Sequence, residues 1–338
     1  MTAEKSPLVS VVVAFYNIED CVDYCVQSLI RQTYKNCEFV LVDDGSTDGT
    51  GGALDAYADN ARVRILHTPN HGLSGARNFG VEQAEGSYIS FVDGDDFVHS
   101  HYVEELMTPI VLGEATSTIS FGQMVVMDEK TPFNDSLFEH PTGGRKILAP
   151  VELLNTLCYE TMAASACARM APREVYLETP FPMGAFYEDL YTVGKYIQSF
   201  GTTAVIDARL YGYVRRSGSI ANRKVAKIKQ AEDFVTSIRE FDRVAKVING
   251  GERSAAAAYF EAIHFCRLHT LCNAVMDDPK EARAIDDWAQ NKLKSYAPVV
   301  LHDKQASRVQ RIRFWLLMKA PSLYDKVFLS YKQRVDRV

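Results

Sequence analysis

From Leu8 to Val92, short apolar runs rich in β-branched residues alternate with segments whose apolar positions recur at helical spacing. Leu8–Phe15 reads as a first strand and Glu19–Thr33 as a helix carrying Val22, Cys25, Val26, Leu29 and Ile30. Phe39–Val42, Val63–Leu66 and Tyr88–Val92 read as three further strands. Thr47 or Asp48 can cap a second helix that runs to about Asp59, and Ser74 can cap a third that ends near Gly86. Most of these strands are largely apolar, as expected for strands covered by helices on both faces. The βαβ rhythm therefore predicts an α/β fold with a doubly wound, mostly parallel sheet.

The next stretch, to about Arg223, is less regular. Thr118–Met127 reads as a strand, Thr131–Arg145 as turn-rich, and Val151–Thr161 and Asp189–Ser199 as helical. The pattern does not order these strands. Beyond Lys224 it turns helical, with Ala255–Ala258 and Glu261–Val275 as the clearest runs. The expected organisation is a catalytic domain over 1–223, split into halves 1–97 and 98–223, followed by a helical extension over 224–338. Segment 303–338 holds nine Lys/Arg against three Asp, interleaved with Phe314, Trp315, Leu316, Leu317, Leu323, Val327, Phe328 and Leu329. Such a segment predicts peripheral association with an acidic membrane surface.

The chain has 338 residues, 47% of them hydrophobic, enough for one large core and a second unit. Its net charge of -6 gives no general reason to bind nucleic acid. Seven cysteines with no paired spacing point to reduced thiols, hence to a cytoplasmic setting that includes the inner face of the membrane. Apolar runs such as Val11–Tyr16 and Phe314–Met318 fall far short of the roughly 20 residues a bilayer span needs.

In an open parallel sheet, ligands sit outside the carboxyl ends of the strands. Here those ends are polar. The first strand runs into Tyr16-Asn17, the second into Asp43-Asp44-Gly45-Ser46, and the fourth into Asp93-Gly94-Asp95-Asp96. Five carboxylates on one rim repel one another unless a cation or a donor-rich ligand sits among them. An Asp-x-Asp turn lets two of them approach one hard divalent ion, so Mg²⁺ or Mn²⁺ bridging a diphosphate follows. Each Asp-Gly pair taken alone is an ordinary turn. Two clusters after two strands make the turn explanation weaker.

The run Val9–Asn17, then Val42-Asp43-Asp44-Gly45-Ser46-Thr47-Asp48, Gly75-Ala76-Arg77-Asn78-x-Gly80 and Phe91-Val92-Asp93-Gly94-Asp95-Asp96, resembles the family 2 glycosyltransferases in motif order and spacing. The resemblance is strong over about residues 8 to 110 and thinner to about Ile220. It implies the GT-A fold, a nucleoside diphosphate sugar as donor (a UDP-sugar first), a glycan, lipid-linked or protein-linked acceptor, and inversion at the anomeric carbon. By the same resemblance Asp44 bonds the donor's base and Tyr16 lies beside it. Asp93 lies near the ribose, Asp95 holds the metal, and Arg77 faces the phosphates. Phe181-Pro182-x-Gly184-x-Phe186-Tyr187-Glu188-Asp189 resembles the family's Glu-Asp motif, with Asp189 as general base, and Arg216-Ser217-Gly218-Ser219-Ile220 resembles its closing segment, whose arginine approaches the diphosphate. Two positions depart from the pattern: Val214 replaces an arginine, and Cys167-Ala168-Arg169-Met170 replaces Trp-x-Lys-Leu.

A nucleotidyltransferase that makes sugar nucleotides is the rival enzyme, but it calls for a Gly-rich loop where this chain has Ala14-Phe15-Tyr16-Asn17. A non-catalytic nucleotide binder has no need of both Asp95 and Asp189. His264 and His269 are five apart, about 140° around a helix, so packing explains them. A closing segment that excludes water is expected at Thr131–Arg145 or Arg216–Arg223.

Overall fold

The computed structural model describes residues 6–120, 124–128, 134, 138, 144–160, 164–216 and 226–329. The candidate closing segments fall mostly outside these residues, as do Ser217–Ile220 of the last motif and everything after 329. The chain forms two compact units, one of residues 1–153 and 163–219, the other of residues 154–162 and 220–338.

The first unit opens with β1 (Val9–Phe15), α1 (Glu19–Ile30), β2 (Cys37–Asp43), α2 (Thr50–Asp55), β3 (Val63–His67), α3 (Gly72–Gln83) and β4 (Tyr88–Asp93). These seven elements stand where the apolar periodicity puts them. The caps differ. α2 starts after Gly49, with Asp48 Oδ1 accepting from the Thr50 N–H at 3.0 Å, and α3 starts after His71. Ser74 lies buried inside α3 instead of capping it.

β1, β2, β3 and β4 are all parallel, in the order β3-β2-β1-β4. Val9, Val11, Val12 and Val13 of β1 are fully buried, as are Phe39 to Val42 of β2. Each such side chain contributes about 1.5–3 kcal/mol on burial. The chain crosses from one side of β1 to the other between β3 and β4, so the crevice at the carboxyl ends of β1, β2 and β4 is the topological switch point. Register aligns those ends: Phe15 pairs with Asp43, and Ala14 with Asp93.

The remaining strands are β5 (Phe97–Val98), β6 (Ser117–Ser120), β7 (Met124–Asp128), β8 (Arg145–Leu148), β9 (Arg169–Pro172), β10 (Thr203–Ile206) and β11 (Tyr211–Arg215). Among them lie α4 (Tyr102–Val111), α5 (Pro150–Glu160), α6 (Arg173–Glu178) and α7 (Glu188–Ser199). The large sheet has the order β3-β2-β1-β4-β9-β6-β10-β8, with β9 antiparallel to both β4 and β6. β5, β11 and β7 form a small second sheet. The single strand expected over Thr118–Met127 is thus two strands in different sheets. An unbroken apolar run does not reveal where a chain leaves one sheet for another.

The second unit is helical: α8 (Ile228–Ile248), α9 (Ala255–Cys272), α10 (Pro279–Val300), α11 (Arg308–Lys319) and α12 (Pro321–Tyr324), closed by a π turn over Asp325–Leu329. α9 is one helix, buried on nearly every side, with Ser254 accepting from the Ala257 N–H as its cap. α8, α10 and α11 pack on it. His264 sits in this core against Phe234 and Phe260, its pKa pushed down to about 3 by burial. His269 does more than pack. Burial pulls its pKa down, but Asp286 at 2.8 Å and Asp325 at 2.9 Å outweigh that and raise it, making it an ionic clasp between α9, α10 and the π turn. All seven cysteines are buried free thiols. Among the described residues, no helix is long and apolar enough to cross a membrane.

Candidate functional site

The crevice in the first unit is built from turns that only certain residues allow. At the end of β1, Asn17 takes a positive φ of 51°, its backbone N–H bonds Ser46 Oγ, and its side-chain oxygen accepts from the Thr47 N–H. That exchange ties the β1 rim to the β2 rim and leaves Tyr16 projecting outward, 47% exposed. Gly94 separates Asp93 from Asp95 for a steric reason: a β-carbon there would lie 2.6 Å from the Phe15 ring and 2.7 Å from the Ala14 carbonyl oxygen.

Asp44 is buried at the end of β2 and accepts from the backbone N–H of His71 at 2.8 Å, just ahead of α3. Burial pushes its pKa up; the N–H groups of His71 and Gly72 work against that. Asp43 accepts from the Ser46 N–H and contacts His67 Nδ1 at 3.0 Å, and these bonds outweigh its burial to hold its pKa down. The two neighbours are therefore set apart. Asp43 fastens the turn to β3, and Asp44 fixes the start of α3.

Arg77 forms the centre. It is 3% exposed, stacked near the rings of Phe91 and Phe181. Its Nη2 donates to Asp93 Oδ1 at 2.8 Å, while Nη1 donates to Glu188 Oε1 and Asp189 Oδ1, each at 3.1 Å. One guanidinium thus joins the rim of β4 to the start of α7, 111 and 112 residues further along the chain. Glu188 and Asp189 converge on one nitrogen, although successive helical residues ordinarily point about 100° apart. Both carboxylates sit in the first turn of α7, directly after Tyr187 with its φ of 60°. Burial raises the pKa of Glu188, and Asp189 raises it further; burial likewise raises Asp189. Arg77 opposes both.

Asp95 points elsewhere. Its Oδ2 receives Arg216 Nε at 3.1 Å and Nη2 at 2.7 Å, and its backbone carbonyl accepts from Tyr24. Asp96 is buried, its pKa pushed well up by burial and by Asp93 and Asp95. It accepts from Tyr211 Oη and from the Val214 N–H, both at 2.8 Å. Tyr211 Oη also accepts from the Asp93 N–H at 3.0 Å, so this one phenol sets the Asp-Gly-Asp-Asp turn. Tyr211 was not visible as a site residue, because its motif is a plain alternating strand. Val214, where the family resemblance leads one to expect arginine, enters the site through its backbone alone.

Removing that phenol should loosen the turn without emptying it. Tyr211→Phe leaves a buried acid short of a donor and is expected to cost about 1–3 kcal/mol. A shifted urea midpoint checks it; an unchanged midpoint means water replaces the hydroxyl at no cost.

Of the seven residues expected in the site, the structure gathers Arg77, Asp93 and Asp189 into one cluster and pairs Asp95 with Arg216. Asp44 lies on the β2 rim and Tyr16 on the β1 rim. The donor set on β4 suits a hard cation. Asp93 and Asp95 each keep an oxygen outside their arginine contacts, and a Mg²⁺-type ion uses only one or two carboxylates, completed by water and phosphate. Among the described residues there is no group of three His, Cys, Asp or Glu that could hold a metal by protein ligands alone.

Residues 10–178 match the family model described as glycosyl transferase family 2. Glycosyltransferase GlyG of Streptococcus pneumoniae is 34% identical over 242 residues, covering 68% of this chain and 78% of GlyG. Two other curated relatives match over only 29% and 31% of their own length. TarS of S. aureus, solved as residues 1–349 with UDP-GlcNAc, superposes with a TM-score of 0.65 at 20% identity, covering 96% of this chain and 92% of that one. The mannosyltransferase PcManGT of Pyrobaculum calidifontis, solved with GDP-Man and Mn²⁺, gives 0.51 at 18% identity, covering 95% and 84%. The first of these structures shares the GT-A architecture built up here, and the family match spans the β1, β2 and β4 rims: this chain is a member of glycosyl transferase family 2.

Proposed function

We propose that the chain moves a sugar from a nucleoside diphosphate sugar, UDP-linked in the first instance, to a hydroxyl of a glycan, lipid-linked or protein-linked acceptor, with inversion. The observation that carries this reading is the Arg77 bridge, which sets Asp189 beside the donor-side rim of β4. TarS, which holds UDP-GlcNAc in the same fold, supports the choice of UDP.

In this reading Tyr16 and Asp44 receive the base, Asp93 the ribose and Arg216 the diphosphate. Asp189 accepts the proton of the acceptor hydroxyl as its oxygen bonds to the anomeric carbon and the bond from that carbon to the phosphate oxygen breaks. Burial helps by raising Asp189 toward the pH at which a base is most effective. Arg77 opposes that rise, and it lies too deep to be displaced by a substrate. Asp95 would hold Mn²⁺ or Mg²⁺, which would supply Lewis-acid stabilisation of negative charge on the diphosphate. The Arg216 ion pair with Asp95 supports a diphosphate role for this arginine beside that carboxylate. Seven free thiols fit action in the cytoplasm, including at the inner face of a membrane.

A panel of nucleotide sugars with Mn²⁺, read as released diphosphate, tests the donor side without an acceptor. A UDP-sugar should be hydrolysed, Asp95→Ala should remove that turnover with the fold intact by circular dichroism, and chelator should act as the mutation does. Full turnover in excess chelator removes the metal from the mechanism.

A further inference from the structure

α11 buries Phe314, Leu317 and Met318 on one side and turns a different kind of face outward. Val309 is 66% exposed, Ile312 57% and Trp315 50%, at positions three apart on one stripe. Leu323 and Val327 continue the exposed apolar surface past the helix end. Arg308, Arg311 and Lys319 flank the stripe, and the helix carries no acidic residue. Over residues 303–329 the acids are Asp303 and Asp325, and both are spent internally. Asp303 accepts from Tyr159 and from the Gln305 N–H, and Asp325 is held by His269. The segment therefore presents arginine and lysine side chains beside exposed tryptophan and aliphatic side chains.

A groove of about 390 Å³ runs into this face, lined by Leu301, Arg308, Arg311, Ile312 and Trp315. Arg308 is exposed and Arg311 partly exposed on this face. The accessible N–H groups of two neighbouring guanidiniums suit a phosphate oxygen, the acceptor such forks take best.

We propose that the α11 face docks the chain on an anionic phospholipid bilayer. Trp315, Ile312 and Val309 enter the boundary between headgroups and acyl chains, and Arg308 and Arg311 receive a lipid phosphate in the groove. The proposal is independent of the reading of the crevice. Exposed tryptophan and aliphatic side chains set beside arginines match the boundary between anionic headgroups and acyl chains. A second copy of the chain would bring the same positive charge against itself.

The test uses the full chain and vesicles of phosphatidylcholine with or without phosphatidylglycerol, at low salt. Co-sedimentation should require phosphatidylglycerol and fade with added salt. At about fivefold per cation, Arg308→Gln/Arg311→Gln should lower the partition coefficient about thirtyfold. The chain has two tryptophans, so Trp288→Phe leaves Trp315 as the sole reporter; its emission should shift blue and be quenched by brominated lipid. Both substitutions are at partly or fully exposed positions of the helical unit, and an unchanged circular dichroism spectrum confirms that each variant folds. Binding equal to wild type in the double arginine variant, a Trp315 signal blind to lipid, or concentration-dependent dimers that cover Trp315 would each overturn the proposal.

Discussion

Arg77→Met should lower the stability of the first unit by about 3–5 kcal/mol, the range seen when one partner of a buried ionic cluster is removed. Methionine fills much of the space between Phe91 and Phe181, so the loss is mainly electrostatic. It leaves Asp93, Glu188 and Asp189 facing a shared gap without their cation. pH separates this account from a packing defect. Burial, with Asp189 acting on Glu188 and Asp93 on Asp189, already raises the folded pKa of both above their ordinary values. A group raised on folding contributes stability that is whole below its unfolded pKa and is lost as pH rises through the folded one. Arg77 limits that rise; without it the pKa values climb further, and stability should fall more steeply from mildly acid to neutral pH. Urea midpoints of wild type and variant should therefore converge in acid and diverge toward neutrality. Arg77→Lys should rescue little, because one ammonium cannot reach Asp93 on one side and the α7 carboxylates on the other. If stability is unchanged and only nucleotide affinity falls, Arg77 belongs to the phosphates, as the family resemblance has it.

Much of the crevice is legible in the sequence because its parts sit at strand ends. β1, β2 and β4 declare themselves by short, largely apolar runs, and whatever ends or follows such a run stands on the rim: Tyr16, Asp44, Asp93, Asp95. The partners of those residues were not legible. Arg77 meets Asp189 across 112 residues, and Tyr211 meets Asp96 across 115, through contacts that local pattern cannot encode. β9 is the clearest case. Arg169–Pro172 shows neither alternation nor an apolar run, yet it wedges antiparallel between β4 and β6 and so carries Cys167 against Phe91. Its place is decided by the strands on either side. The helical unit shows the opposite failure. α9 is apolar on every face, so its periodicity breaks into two apparent pieces where a single buried helix runs.

Asp189→Asn should lower turnover by about 10² to 10⁴, the usual cost of losing a general base. The asparagine oxygen can still accept from Arg77 Nη1, so the bridge to Asp93 survives and nucleotide affinity should hardly change. That separation of turnover from binding distinguishes a proton acceptor from a positioning group. Glu188→Gln should behave differently. Glu188 reaches the same Nη1, and its own pKa rise comes from burial and then from Asp189, so it answers the charge of its neighbour. Its neutralisation removes a repulsion and one ionic contact together, giving a smaller loss of turnover. In wild type the rate should fall as pH drops through the raised pKa of Asp189, an acid limb set above the ordinary aspartate range because burial opposes ionisation. Calorimetric binding of UDP alongside single-turnover transfer decides the matter. An Asp189→Asn enzyme with near-normal transfer, beside a Glu188→Gln enzyme without it, would move the base one residue back along α7 while leaving the Arg77 bridge as the device that carries it to the donor.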